Sequence, residues 1–325
     1  MTDNTIIKPL VAVVNINYNQ SQMTIECNNS ILKSDYPNFT IIIIDNGSTE
    51  ENYKILVAEY EINPKVKLIR IVDNVGYVKG VNRGIEEAIN LNAEYIQIMN
   101  NDTLIDLNAV SILVDTCKRY DNKAIVSGKV YHFDRPDTLQ YIGHYFKNRN
   151  TLLEFFPGKN EIDKGQFDEE KERDMLDDIF WLFHSKLIED IGYYNTAFFL
   201  YAEQADYALR AVRSGYKLVY TPTAKLWHKG SLTTGGGIRN SPVVNFWRFK
   251  SSVIFLYLHL KKHYFYYMLF RKIIILIKNY LKFLVTNKSV ELKSLQAAIT
   301  GTFYGIKWIF NKVEDNGYNP YIGKK

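Results

Sequence analysis

The chain predicts an α/β fold, a mostly parallel sheet flanked by helices and followed by a helical C-terminal region, on three observations. Short β-branched apolar runs alternate with helix-length segments through the first 130 residues. Each gap between runs is long enough for the helical crossover that parallel neighbours require. Asn- and Asp-rich tetrads recur directly after the runs, where the carboxyl ends of parallel strands form ligand crevices.

Taken in order, residues 10–16 read as the first strand, because a short β-branched run bounded by turn residues suits a strand buried on both faces. Residues 20–32 read as the first helix, 40–44 as a strand, Glu50–Tyr60 as a helix and Val66–Ile71 as a strand. A helix over 78–90, a strand at Tyr95–Met99 and a fifth strand at 124–130 complete the alternation. Residues 148–178 are dense in charge and lack periodicity, so they predict a long loop near a site. A helix over 203–214 stops at Gly215, and a short strand over 217–220 follows.

From Asn245 the pattern turns helical and aromatic. Its apolar blocks are interrupted by Lys261-Lys262, Arg271-Lys272, Lys278 and Lys282, so none reaches the ~18 residues of a membrane span. Basic residues set between apolar blocks suit helices lying on a membrane surface, or a homodimer contact. The charge divides in the same place. Residues 1–240 carry 26 Lys and Arg against 32 Asp and Glu, whereas residues 241–325 carry 14 against 3. The expectation is therefore a body over 1–240 and a basic helical region over 241–325. Nucleic acid is set aside because the basic residues form no recognition motif.

The composition, 46% hydrophobic and 23% charged, excludes a disordered chain. Two cysteines, Cys27 and Cys117, exclude a disulfide scaffold and, without paired Cys/His spacing, a structural zinc site. The polar N-terminus, residues 1–9, lacks the charged-then-apolar pattern of a secretory leader. A cytoplasmic protein, peripheral on the inner face of the membrane, is the expectation.

The chemistry gathers at the strand ends. Asn17 and Tyr18 follow the first strand, Asp45-Asn46-Gly47-Ser48 the second and Asn100-Asn101-Asp102-Thr103 the fourth. Carboxylates on one rim suit a ribose contact and a divalent metal holding a diphosphate. Asp-Asn-Gly is equally ordinary turn chemistry. After the third strand, Asn74-Val75-Gly76-Tyr77 leads to Gly80-Val81-Asn82-Arg83-Gly84, a loop able to present backbone N–H groups to phosphate or sugar. It is neither a dinucleotide fingerprint nor a P-loop.

Together these segments resemble glycosyltransferase family 2, nearest its rhamnosyltransferase-like and galactofuranosyltransferase-like branch. Residues 198–210, Phe-Phe-Leu-Tyr-Ala-Glu-Gln-Ala-Asp-Tyr-Ala-Leu-Arg, and Trp227-His228-Lys229-Gly230-Ser231 extend the resemblance to about residue 240. It implies a GT-A fold, a nucleotide-diphosphate sugar donor (deoxythymidine-diphosphate rhamnose or a uridine-diphosphate sugar), Mg²⁺ or Mn²⁺, and a glycan or lipid-linked glycan acceptor in bacterial surface polysaccharide assembly. Asp45 would then contact base or ribose, with Asn17, Tyr18, Asn74, Gly76, Asn82 and Asn101 around the donor. Asp102 would end the metal motif, and His228 would be a second metal or diphosphate contact. Trp181 and Tyr201 could stack on a sugar, and Asp177 and Asp178 could help to recognise donor or acceptor. Glu203 is the first choice for catalytic base and Asp206 the second.

Two departures stand out. The metal motif reads Asn100-Asn101-Asp102, with one carboxylate, and the usual basic acid is replaced by Gln204, which cannot take a proton. A non-catalytic nucleotide- or glycan-binding member of a biosynthetic complex is the alternative those departures allow.

Overall fold

The structure, a computed structural model, describes residues 8–230, 241–286 and 289–322. The chain runs β1 (Val11–Asn17), α1 (Ser21–Ile31), β2 (Phe39–Asn46), α2 (Glu50–Tyr60), β3 (Val66–Ile71), α3 (Tyr77–Asn90) and β4 (Tyr95–Met99). It continues through β5 (Thr103–Ile105), α4 (Ala109–Arg119), β6 (Ala124–His132), β7 (Leu139–Tyr141), β8 (Tyr145–Asn148), β9 (Leu153–Phe155) and β10 (Lys171–Glu172). Then come β11 (Phe180–His184), α5 (Lys186–Ile191), α6 (Glu203–Arg213), β12 (Lys217–His228), α7 (Pro242–His259), α8 (Lys262–Thr286) and α9 (Ser289–Asn311).

The main sheet has the order β10-β12-β6-β11-β4-β1-β2-β3, with β5 added to β12 and β7 to β6. Strands β1 to β4 are mutually parallel, and β6 and β12 are parallel to each other. Between these groups β11 runs antiparallel to both β4 and β6. Alternate β1 residues serve two apolar layers. Val11 and Val13 face α1, α2 and α4, while Ala12 and Val14 face α3, α5 and α6. Burial on both faces explains the unbroken apolar runs in the sequence.

The alternation predicted for the first half holds, and β3, β4 and α2 have the expected bounds. Four features differ. Helix α4 and strands β5 and β11 form where the sequence pattern predicted no element. The strand expected over 217–220 continues to His228, across a register shift between Tyr220 and Lys225 that accommodates Pro222. Residues 148–178, expected as loop, contribute β9 and β10 and are pinned to the sheet. Lys129 of β6, 2% exposed, binds Asp163 at 2.6 Å and Asp168 at 2.5 Å. Finally, α7 is part of the core, for Ile254 is fully buried in the layer that contains Val14 and Trp181.

Close backbone approach fixes one more position. A Cβ on Gly128 of β6 would lie 2.1 Å from the carbonyl oxygen of Ala224 in β12. Gly128→Ala should therefore spread the β6–β12 pair and cost roughly 1–3 kcal/mol, read as a lower midpoint in denaturant with an unchanged slope.

Candidate active site

The carboxyl ends of β1, β2 and β4 share one rim, and because β11 is reversed, its beginning joins them. The Asn100 N–H donates to the Ile179 carbonyl at 3.1 Å, so residues 177–178 stand beside Asn101-Asp102.

A hydrogen-bonded chain crosses the rim. Asn17 donates to Asp45 Oδ1 at 2.7 Å and to Ser48 Oγ at 3.1 Å. The Thr24 hydroxyl donates to Asn17 Oδ1 at 2.8 Å and accepts from Asn101 at 2.9 Å. Asp45 is fully buried, and its Oδ2 has no partner. A buried carboxylate oxygen left free at the end of a strand is a ready acceptor for a ligand hydroxyl. Tyr18 is exposed beside it.

The glycine loop is held by Asn46, which the sequence pattern gave no role. Its amide donates to the Gly76 carbonyl at 3.0 Å, and its oxygen accepts from the Val75 N–H at 3.1 Å. Asn74 Oδ1 accepts from the Gly76 N–H at 2.9 Å. Gly76 has φ +89°, and a Cβ there would meet the Phe199 ring at 2.5 Å. Gly47 (φ +80°) is equally crowded, by the Asn74 backbone at 2.3 Å.

Pairing of β5 with β12 brings the two predicted metal residues together, setting Thr103 opposite His228. His228 Nε2 lies 3.1 Å from Asp102 Oδ1, and both side chains are nearly buried. The alignment is not that of a hydrogen bond, and Asp102 Oδ1 otherwise has no partner. His228 Nδ1 donates to Gln140 Oε1 at 2.6 Å, which turns Nε2 toward Asp102. A nitrogen lone pair and a carboxylate oxygen facing each other suit a shared divalent cation, with the ring oriented by its outer hydrogen bond. Among the described residues no three His, Cys, Asp or Glu side chains gather to hold a metal by themselves. Any ion would take its remaining ligands from a diphosphate and water, as Mg²⁺ commonly does. Ser231 lies outside the described residues.

Three predicted site residues prove structural. Trp181 is completely buried between Tyr194 and Tyr207, so no sugar can stack on it. Asn82 exchanges both its amide hydrogen bonds with the Tyr194 backbone, at 2.9 Å each, fastening α3 to the segment before α6. Asp206 is occupied on both oxygens, by Arg210 Nε at 2.9 Å and His259 Nε2 at 2.8 Å. Arg210 also donates to the carbonyls of Ile191 and Tyr193, so this node joins α5, α6 and α7.

Glu203 opens α6 after Tyr201 (φ +70°) and Ala202 (φ +67°), two successive non-glycine residues in the left-handed region. Backbone strain of this kind concentrates at functional sites. Burial pushes the Glu203 carboxyl well above the usual range, and the neighbouring Asp178 charge adds to the effect. Asp178 Oδ2 accepts from the hydroxyls of Tyr77 at 3.0 Å and Tyr194 at 3.2 Å. Burial, and then Asp177, nevertheless push Asp178 up to about 8.

This fold, with its polar rim, is that of the GT-A class of α/β proteins. The chain belongs to glycosyl transferase family 2, whose family model matches residues 12–192. It is similar to the poly-beta-1,6-N-acetyl-D-glucosamine synthase of Staphylococcus epidermidis, with 24% identity over 67% of this chain and 50% of that one. It is also similar to Glycosyltransferase GlyG of Streptococcus pneumoniae, with 30% identity over 39% of this chain and 41% of the relative. The chain thus spans about half the length of the curated relatives it matches. Among solved structures, GalNAc-T7 with UDP, GalNAc and Mn2+ superposes with TM-score 0.61 and 16% identity, over 77% of this chain and 48% of that one. TarS of S. aureus superposes with TM-score 0.52 and 15% identity, over 78% and 41%.

A buried acid with a raised pKa favours the folded state at low pH, and that contribution is lost as pH rises through the folded value. For Asp178 the loss spans about pH 4 to 8. Asp178→Asn should therefore raise the melting temperature at pH 8 more than at pH 4.5, in a thermal scan at both pH values.

Proposed function

We propose that the protein transfers a sugar, with inversion, from a nucleotide-diphosphate sugar to a glycan or lipid-linked glycan of a bacterial surface polysaccharide. The observation that carries this reading is the meeting of Asp102 and His228 at 3.1 Å on the rim that also carries Asp45 and Asn101. Family membership, and relatives named for polysaccharide synthesis, support it.

In this reading Asp45 Oδ2 accepts from the ribose or base, Asn17 holds that carboxylate in place with Thr24 and Asn101 behind it, and Tyr18 covers the nucleotide. The loop built on Asn46, Asn74 and Gly76 faces the donor. Asp102 and His228 hold Mg²⁺ or Mn²⁺ with the diphosphate, and the ion supplies charge stabilisation for the leaving group. The residues around the start of α6 face the acceptor, and a carboxylate there takes its proton. Displacement on the face opposite the diphosphate inverts the anomeric carbon. The donor is a deoxythymidine-diphosphate or uridine-diphosphate sugar, as in the rhamnosyltransferase-like and galactofuranosyltransferase-like branch.

In a thermal-shift panel of nucleoside diphosphates and their sugars, one nucleotide should raise the melting temperature more with Mn²⁺ than without, because a ligand of the folded state stabilises it. Asp102→Ala should abolish the metal-dependent part. A flat panel from a folded sample would instead favour the non-catalytic reading.

The 241–325 region is proposed to divide its labour. Helices α7 and α9 complete the body, while α8 meets an anionic membrane surface. Along α8 a seam of Tyr266, Phe270, Ile273, Ile277 and Leu281 is exposed at helical spacing. Lys262, Arg271, Lys278 and Lys282 are exposed on the same helix. Lys272, expected among them, turns inward to donate to Ser252 Oγ at 2.8 Å, and burial pushes its amine down to about 8. No helix among the described residues is long and apolar enough to cross a membrane. The protein should float with phosphatidylglycerol vesicles at low salt, less so at high salt, and Phe270→Glu with Ile277→Glu should abolish flotation. Loss of a dimer in the same variant, without vesicle binding by the parent, would identify α8 as a self-contact.

A further inference from the structure

Resting on the transferase reading above, the structure also distinguishes which acid takes the acceptor proton. Four carboxylates surround the starts of α6 and β11. Asp206 is bound on both oxygens by Arg210 and His259. Asp178 is buried under two tyrosine hydroxyls. Glu203 is 4% exposed, has an unpartnered Oε2, and is kept protonated by burial next to Asp178.

Asp177 differs from all three, being the one of the four that is only half-buried. Its Oδ1 accepts from the Ile179 N–H at 3.2 Å, and its side chain is hydrogen-bonded to Gln204. The amide nitrogen of Gln204 is therefore the donor, and Gln204 Oε1 is left buried with no partner. Burial pushes the Asp177 carboxyl up, and the hydrogen bonds from the Ile179 N–H and Gln204 oppose that rise, with His144 ahead of β8 close by. His144 is fixed there by its own backbone, whose N–H donates to the Met175 carbonyl at 3.0 Å. On the rim, Asp177 follows the same β4–β11 ladder that carries Asn101-Asp102.

We propose that Asp177 is the general base, that Gln204 is the positioning residue that orients it, and that Glu203 acts as a neutral acid beside them. In the step, the acceptor O–H bond breaks and its proton passes to the Asp177 carboxylate. The acceptor oxygen forms the bond to the anomeric carbon. The bond from that carbon to the diphosphate oxygen breaks, and its electron pair leaves with the nucleoside diphosphate. The glutamine at 204 thus marks a base moved to the segment before β11, with the proton still taken by a carboxylate.

The test follows nucleoside diphosphate release from uridine-diphosphate N-acetylglucosamine and deoxythymidine-diphosphate rhamnose with Mn²⁺, water serving as acceptor, alongside the donor-induced thermal shift. Asp177→Asn should lower release on the order of 100-fold or more while keeping the thermal shift. Added formate should restore part of the rate to Asp177→Ala, which a merely structural role would not allow. Glu203→Gln should lose at least about tenfold less than Asp177→Asn, since an amide mimics a neutral carboxyl. An Asp177→Asn rate within about threefold of the parent overturns the assignment and leaves the transferase reading standing. Loss of the thermal shift in Asp177→Asn, or no rescue by formate, overturns it as well. A parent protein that neither binds nor cleaves any donor overturns the transferase reading, and the base assignment with it.

Discussion

The antiparallel ladder of Phe180–His184 between β4 and β6 is the constraint on which the site depends. Four parallel strands alone would bring Asn17, Asp45 and Asn100–Asp102 to one rim. Reversing one central strand brings the residues before it to that rim too, so the Asp177-Asp178 pair stands where the parallel strands end. The β5–β12 pairing acts similarly on the other side, carrying His228 to Asp102. On the proposed reading the rim therefore has a nucleotide half made by parallel strands and a reactive half made by additions to them.

The two halves also differ in charge. At the nucleotide end Asn17, Thr24 and Asn101 form a hydrogen-bonded chain that ends on Asp45, whose second oxygen is left without a partner. At the other end Asp177, Asp178 and Glu203 share a small volume in which arginine and lysine are not among the partners described for them. Carboxylates so placed cannot all ionise, so burial and mutual repulsion sort them by how much water each retains. Burial pushes all three up, and Asp177 is the one that keeps the most contact with solvent.

How much of this the sequence disclosed follows from the range of each interaction. The placement of Asp45, Asn101 and Asp102 on one rim was legible because each follows a strand whose apolar run is visible locally, whereas His228 lies beyond the expected strand, across a register shift, and came from the family resemblance alone. The role of Asn46 was hidden in a tetrad that turn chemistry alone explains. Asp206 resembled a site acid because its holder His259 lies 53 positions away, on a helix read as a separate region. Trp181 suggested a stacking platform, but β11 had no alternation to show that both its faces are covered. Helix α4 buries Val110, Leu113, Val114 and Cys117 on one face, a helical spacing that is present in the sequence over 109–119.

Tyr201 and Ala202 both adopt left-handed backbone at a cost of roughly 1–3 kcal/mol each. What holds them is largely supplied by α7. The Ser251 hydroxyl donates to the Leu200 carbonyl at 2.8 Å, and Phe199 stacks on Trp247 at 4.5 Å. A growing chain that has emerged only as far as β12 has every strand but lacks the helix that clamps this turn. The order of synthesis thus delivers every strand of the rim before the helix that holds the turn ahead of α6, so on the proposed reading the groups for the sugar nucleotide are made before the acceptor side can be set.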